Sequence, residues 1–183
     1  MFQIPTFPPF EGFHPFVVHF TVGILLSAWV PMALGLVDRK RRMSWFRAGL
    51  MMVVMGTLFT FAGVLTGEAT EDVVDHSSEL IERAIHEHEE LAELSRNMFI
   101  GVTAIYLASM IAFCKVGEPK KKKVGLIGVV LVGITYILGA LALSNAGHLG
   151  GLLVHEHGLH APVAGTDMSQ IEPHEDNDLD DDD

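Results

Sequence analysis

The residues of this chain best able to do chemistry are its ten histidines, and none of them stands near its clustered lysines and arginines. A neutral imidazole offers one lone pair to a metal or to a haem iron, and it titrates near physiological pH. His19 lies about one helical turn inside an otherwise apolar stretch, where a polar side chain is expensive and usually has a partner or a task. His14 immediately precedes Pro15, His88 falls on the inward stripe of a later helix, and His148 marks the end of the last one, with Glu68 as the accompanying carboxylate. Two ligand classes suit such a set. A b-type haem needs two neutral imidazoles on facing helices at similar height and an apolar slot, with no covalent attachment. A bare transition metal such as copper, iron or zinc needs three or four converging N/O ligands, for which His19, Glu68, His88 and His148 would serve. Histidines two residues apart, as in the two His-Glu-His runs at His86–His88 and His155–His157, point about 200° apart on a regular helix and cannot share one ion.

The elements that must position these side chains are membrane helices. Residues 15–36, 45–66, 98–114 and 124–144 are each apolar over about the 20 residues a bilayer span requires. Hydrophobic residues make up 49% of the chain, whereas a soluble bundle of this size would show a polar face on every helix. The expected fold is therefore all-α, a four-helix transmembrane bundle. Before the third span, Leu80, Ile81, Ala84, Ile85, His88, Leu91, Ala92 and Ser95 recur at three- and four-residue spacing, so that helix extends above the membrane with Glu79, Glu82, His86, Glu90 and Glu93 on its wet side. Gly125, Gly128, Gly133, Gly139 and Gly147 in the last helix allow close packing of neighbours.

Charge sets the orientation. Of the twelve Lys and Arg, all but Arg83 and Arg96 belong to the sets Arg39, Lys40, Arg41, Arg42, Arg47 and Lys115, Lys120, Lys121, Lys122, Lys123, in the loops joining spans one to two and three to four. The positive-inside rule places both loops in the cytoplasm, so both termini lie outside, on the periplasmic face of a bacterial inner membrane. With 1.5 Å of rise per residue, His19 stands roughly 30 Å above Arg39, His148 roughly 37 Å above Lys123 and His88 roughly 40 Å above Lys115, so one layer near the outer surface collects them.

Composition excludes several classes. The single cysteine, Cys114, rules out a disulfide framework, a Cys-rich zinc site and covalent haem attachment. A net charge of −11, concentrated in the second connection and the tail, argues against nucleic acid at the outer face, and the basic loops read as partners for anionic lipid headgroups. Residues 1–13 lack a basic n-region and a small-residue cleavage site and are expected to lie irregularly in the interface rather than act as a removable signal. Residues 14–160 form the transmembrane domain, and residues 161–183 an acidic tail too polar to fold. There is no nucleophile–base arrangement, phosphate loop or hydrolase motif, so enzyme activity has no specific support.

The run His14-Pro15-Phe16-Val17-Val18-His19-Phe20, Thr66-Gly67, His88-Glu89 and the stretch from His148 through Gly150-Gly151-Leu152-Leu153-Val154 to His157-Gly158 resembles a bacterial family of four-helix membrane proteins of unknown function, over about residues 12–160. Its pattern is HP-x-x-VHF at the start and GG-x-LV-x-x-HG at the end. The chain is similar, more loosely, to the haem-binding bundles of membrane cytochromes b and ferric-reductase-like proteins, and relatives joined to cytochrome c modules lean toward electron transfer. The resemblance implies cofactor roles for His14, His19, His88, His148 and His157. It also marks a departure: such cytochromes commonly hold a haem near each face, and this chain has no histidine in its cytoplasmic half. The expected function is a haem b electron-transfer subunit, working on one side of the membrane with quinol or a cytochrome c, within a respiratory-type hetero-oligomer. The alternatives are a metal-binding membrane protein without haem and a structural subunit without cofactor.

Overall fold

The computed structural model describes residues 7–71, 79–156 and 158–159, and these are helical almost throughout. A single 3₁₀ turn, Phe10–Phe13, leads into α1 (His14–Ser27), α2 (Trp29–Val37), α3 (Arg42–Glu71), α4 (Glu79–Lys115) and α5 (Glu118–His155). That turn rests on α3, so the end of the N-terminal segment is ordered where irregular chain was expected. Four helical stretches are long and apolar enough to cross a membrane, with α1 and α2 forming the first together. Residues 161–183 lie outside the described residues.

The break between α1 and α2 has an identifiable cause. Pro31 has no N–H to give to the Ser27 carbonyl four residues back, and its ring crowds that carbonyl. Ala28 instead bonds Leu25 in a tighter turn, N to O 3.3 Å. Tyr136 of α5 fills the gap: its hydroxyl donates to the Leu25 carbonyl at 2.5 Å and accepts from the Trp29 amide. Tyr136→Phe strands the Trp29 amide in the bundle interior and leaves the Leu25 carbonyl only the long bond from Ala28. It is expected to cost about 1–3 kcal/mol, read as reduced resistance to unfolding in mixed micelles, with total helix content by circular dichroism unchanged.

Two hairpins make up the bundle. α1 and α2 pack along α3, and α4 packs along α5, while α3 against α4 supplies most of the joint between the pairs. In lipid, apolar burial gives helices little reason to associate, so close packing and interhelical hydrogen bonds must do it. Leu25 seats directly on Gly56, and a Cβ at Gly128 would stand 3.0 Å from that of Ser109. Gly139 faces the Phe99 ring, which is fully buried and meets Tyr136 edge-on at 6.2 Å between centroids. Gly133 and Gly147, by contrast, face open space and are not packing positions. Across the hairpins, the hydroxyls of Thr57 and Thr103 bond at 2.9 Å, and Tyr106 donates to the Phe46 carbonyl at 2.8 Å.

At the basic end, Asp38 organises the tight turn into α3. Its carboxylate accepts from the amides of Lys40 (3.0 Å) and Arg41 (3.2 Å) and from the Trp45 indole (3.2 Å). Those donors, the indole first, hold its carboxyl below the usual aspartate range. At the other end α4 and α5 overrun the bilayer. α5 passes through Gly150-Gly151 without interruption to His155. α4 adds a charged stretch ahead of its apolar half, with Ile85 and Ser95 buried and Glu79, Glu82, His86, Glu90 and Glu93 exposed, as the stripe predicts. Leu80 departs from the stripe and is exposed.

Candidate functional site

Two imidazoles occupy equivalent positions in the two hairpins. His14 opens α1 and shares a face with Thr21 and Leu25, both buried, at helical offsets of seven and eleven. Its Nδ1 lies 3.1 Å from the Gly63 carbonyl and 3.2 Å from the Thr66 hydroxyl of α3. His88 shares a face of α4 with Ile85, Ser95 and Phe99, and its Nδ1 bonds the Ala146 carbonyl of α5 at 2.9 Å. A carbonyl only accepts, so the proton sits on Nδ1 in both rings and each Nε2 carries a free lone pair. This is how ligand histidines are commonly held: the second-ring-nitrogen bond fixes tautomer and plane while the other nitrogen points at the ligand.

Glycine makes room for each ring four residues beyond the accepting carbonyl. A Cβ on Gly67 would stand 3.2 Å from His14 Cε1, and one on Gly150 would stand 3.0 Å from His88 Cε1. Each hairpin thus grips its imidazole with a carbonyl at one position and a bare Cα one turn later. The two rings are close enough for a charge on one to be felt at the other. Burial keeps the His88 imidazole below its ordinary range, and therefore neutral, as a ligand must be.

Both rings line a cavity of about 360 Å³ enclosed by α1, α3, α4 and α5. That volume falls in the range of about 300–1,000 Å³ usual for small-molecule sites. Its walls are apolar, with Val18, Val22, Ile85, Leu143 and Leu153, and its rim is acidic, with Glu68, Glu71, Glu89, Glu90 and Glu93. His14 stands roughly 35 Å along the helices from Val37, and His88 roughly 40 Å from Lys115. Against a hydrocarbon thickness of about 30 Å, the site lies at the edge of the apolar layer and its acidic rim lies beyond it.

On that rim the Glu89 carboxyl hydrogen-bonds the side chain of Glu71, which requires a proton between them. Burial first, then this bond and the nearby charges of Glu71 and Glu68, push the Glu89 carboxyl up to about 7. An acid raised from 4.5 to about 7 by folding costs stability above its unfolded value, increasingly as pH rises to the folded one. Glu89→Gln is therefore expected to melt above the native chain at about pH 8, with the difference vanishing as the pH falls toward 4.5. Thermal denaturation across that window checks it.

The structure brings together His14, His88 and Glu68 and leaves out His19 and His148. His19 is exposed on α1, its Nδ1 turned back to the Pro15 carbonyl at 2.6 Å, and does not reach the cavity. Five residues at about 100° each set it roughly 140° around the helix from His14, so the two cannot face the same way. His148 is likewise exposed, five residues past the buried Leu143. The set His19, Glu68, His88 and His148 is accordingly not assembled as a metal site. Among the described residues no three His, Cys, Asp or Glu side chains are placed to hold an ion. His157 lies outside the described residues. What sequence reasoning missed is the carbonyl and glycine pairing, Gly63 with Gly67 and Ala146 with Gly150. Its only sequence trace is the four-residue spacing.

No curated protein and no solved structure matches the chain. A family model, described as a predicted membrane protein (DUF2231), matches residues 11–162, which takes in all four spanning helices, both imidazoles and both glycines. With most of its length matched, the chain belongs to this family of membrane proteins.

Proposed function

We propose that His14 and His88 would hold a b-type haem and that the protein is a membrane electron-transfer subunit. The observation carrying this reading is the pair of neutral imidazoles lining one apolar cavity, each with Nδ1 committed to a backbone carbonyl and Nε2 left to donate. The donor count favours haem over a bare ion: two protein ligands complete a haem iron, whose macrocycle supplies the other four, but fall short of the three or four a transition metal needs. Haem, when bound, supplies the one-electron chemistry. The protein holds the ring orientation through Gly63 and Ala146, excludes water with the valine and leucine walls, and presents the acidic rim.

That rim points to the partner. Five carboxylates around one opening favour a carrier with a basic docking face, the arrangement that speeds encounter between electron-transfer proteins, and a cytochrome c is such a carrier. The basic loops at the opposite end orient the site toward the periplasmic side of a bacterial inner membrane. The described histidines, His14, His19, His86, His88, His148 and His155, lie toward one end, so electrons do not cross the bilayer on these side chains alone, and quinol or a partner subunit is the donor. The test is the visible spectrum of the full chain, purified in detergent from cells supplied with haem precursor. The expected result is a reduced-minus-oxidised difference spectrum of low-spin, bis-imidazole haem at one haem per chain. A colourless protein that takes up no added haemin overturns it.

A further inference from the structure

A second cavity, of about 690 Å³, opens between α2, the start of α3, α4 and α5 in the other half of the bundle, far from the described histidines. It exists because α2 packs along α3 and α5 along α4, leaving the space between α2 and α5 unfilled. Its walls are apolar along their length, from Leu36 and Phe113 near the loops to Trp29 and Ile137 at the far end, and three cations, Arg42, Lys121 and Lys122, stand at one end only. Along α5 the distance from Lys122 to Ile137 is roughly 22 Å, against about 20–22 Å for one leaflet with its headgroups. The groove is one leaflet deep, charged at headgroup level and greasy at chain level.

We propose that this groove is a binding site for one anionic phospholipid, an acyl chain lying against α2 and α5 and the phosphate held by Arg42, Lys121 and Lys122. Charge complementarity selects this occupant. Arg42 gives only its Nε to the Gly35 carbonyl, at 3.2 Å, leaving the guanidinium fork to meet a phosphate. Lys122 is exposed at the rim, and Lys121, paired with Glu118 at 2.8 Å, is anchored beside it. Gly133 lines the groove with nothing within 4 Å of where its Cβ would be, so the chain's path passes over a bare backbone. A quinone would need the apolar walls but not three cations. The site shares no residue with the imidazole cavity, so it stands whether or not haem binds there.

Native mass spectrometry of the full chain, titrated in detergent with phosphatidylglycerol or phosphatidylcholine, tests the site. One phosphatidylglycerol is expected to be retained per chain, at least tenfold more strongly than phosphatidylcholine. Arg42→Gln with Lys122→Gln should weaken retention about 25-fold, near fivefold for each charge at a membrane surface. Gly133→Leu, whose Cβ would meet nothing within 4 Å, places a branched side chain in the groove and should abolish retention while leaving the melting temperature unchanged. Arg39→Gln with Lys40→Gln, which alters loop cations that do not line the groove, should leave it intact. Equal retention of both lipids, an unaffected Gly133→Leu variant, equal loss in the loop variant, or a quinone or a second copy of the chain recovered in the lipid's place would each overturn the proposal.

Discussion

Replacing His14 or His88 with alanine is expected to remove the low-spin haem spectrum, while replacing His19 or His148 leaves it in place. The four residues look equivalent in the sequence, all imidazoles toward one end of the bundle. Only His14 and His88 line the cavity and have Nδ1 held by a partner helix. His19 bonds its own helix, and His148 is exposed. With one imidazole removed, the other alone would hold a haem weakly or not at all. The single variants should therefore lose at least tenfold in affinity, with His14→Ala/His88→Ala losing all binding. Haem titration with absorbance and electron paramagnetic resonance reads both outcomes. A His19→Ala or His148→Ala variant that loses the spectrum, with His14→Ala unaffected, would move the site elsewhere.

Gly150→Val should be nearly as damaging as removing His88 itself, although it touches no ligand atom by chemistry. A Cβ at Gly150 already stands 3.0 Å from His88 Cε1, and the two methyls of valine would extend into the ring. The imidazole must swing off the Ala146 carbonyl, which removes both its tautomer control and its aim at the cavity. Gly151→Val, one residue away, meets nothing within 4 Å and is the matched control. Both substitutions slightly favour the helix over glycine, so a difference between them cannot come from propensity. The expected outcome is at least a tenfold loss of haem affinity for Gly150→Val and native behaviour for Gly151→Val, with equal helix content. The same reasoning applies at Gly67 beneath His14, where the clearance is 3.2 Å.

The four spans were legible in the sequence because a bilayer imposes a length and a composition that few other structures satisfy. The extension of α4 was legible too, since its aqueous turns carry a two-sided pattern whose apolar stripe includes Ile85, His88 and Ser95. Separation of histidines from clustered cations was visible as a level, because rise per residue converts position into height. Rotation was not visible. A membrane helix is apolar all round, so α1 carries no stripe to say whether His14 or His19 looks inward, and α5 does not distinguish Leu143 and Ala146 from His148.

The amino-acid sequence by itself therefore determined how many helices cross the membrane, how far α4 rises above it and at which end imidazoles gather. Tertiary structure alone decided which of them meet. The inward face of α1 is set by Leu25 seated on Gly56, and that of α5 by Gly128 on Ser109 and Gly139 on Phe99, contacts between residues far apart in the chain. Those contacts fix helix rotation, and rotation turns His14 and His88 toward one cavity while leaving His19 and His148 exposed outside it. The physical reason is that lipid solvates either face of an apolar helix equally well, so only shape complementarity between helices can choose.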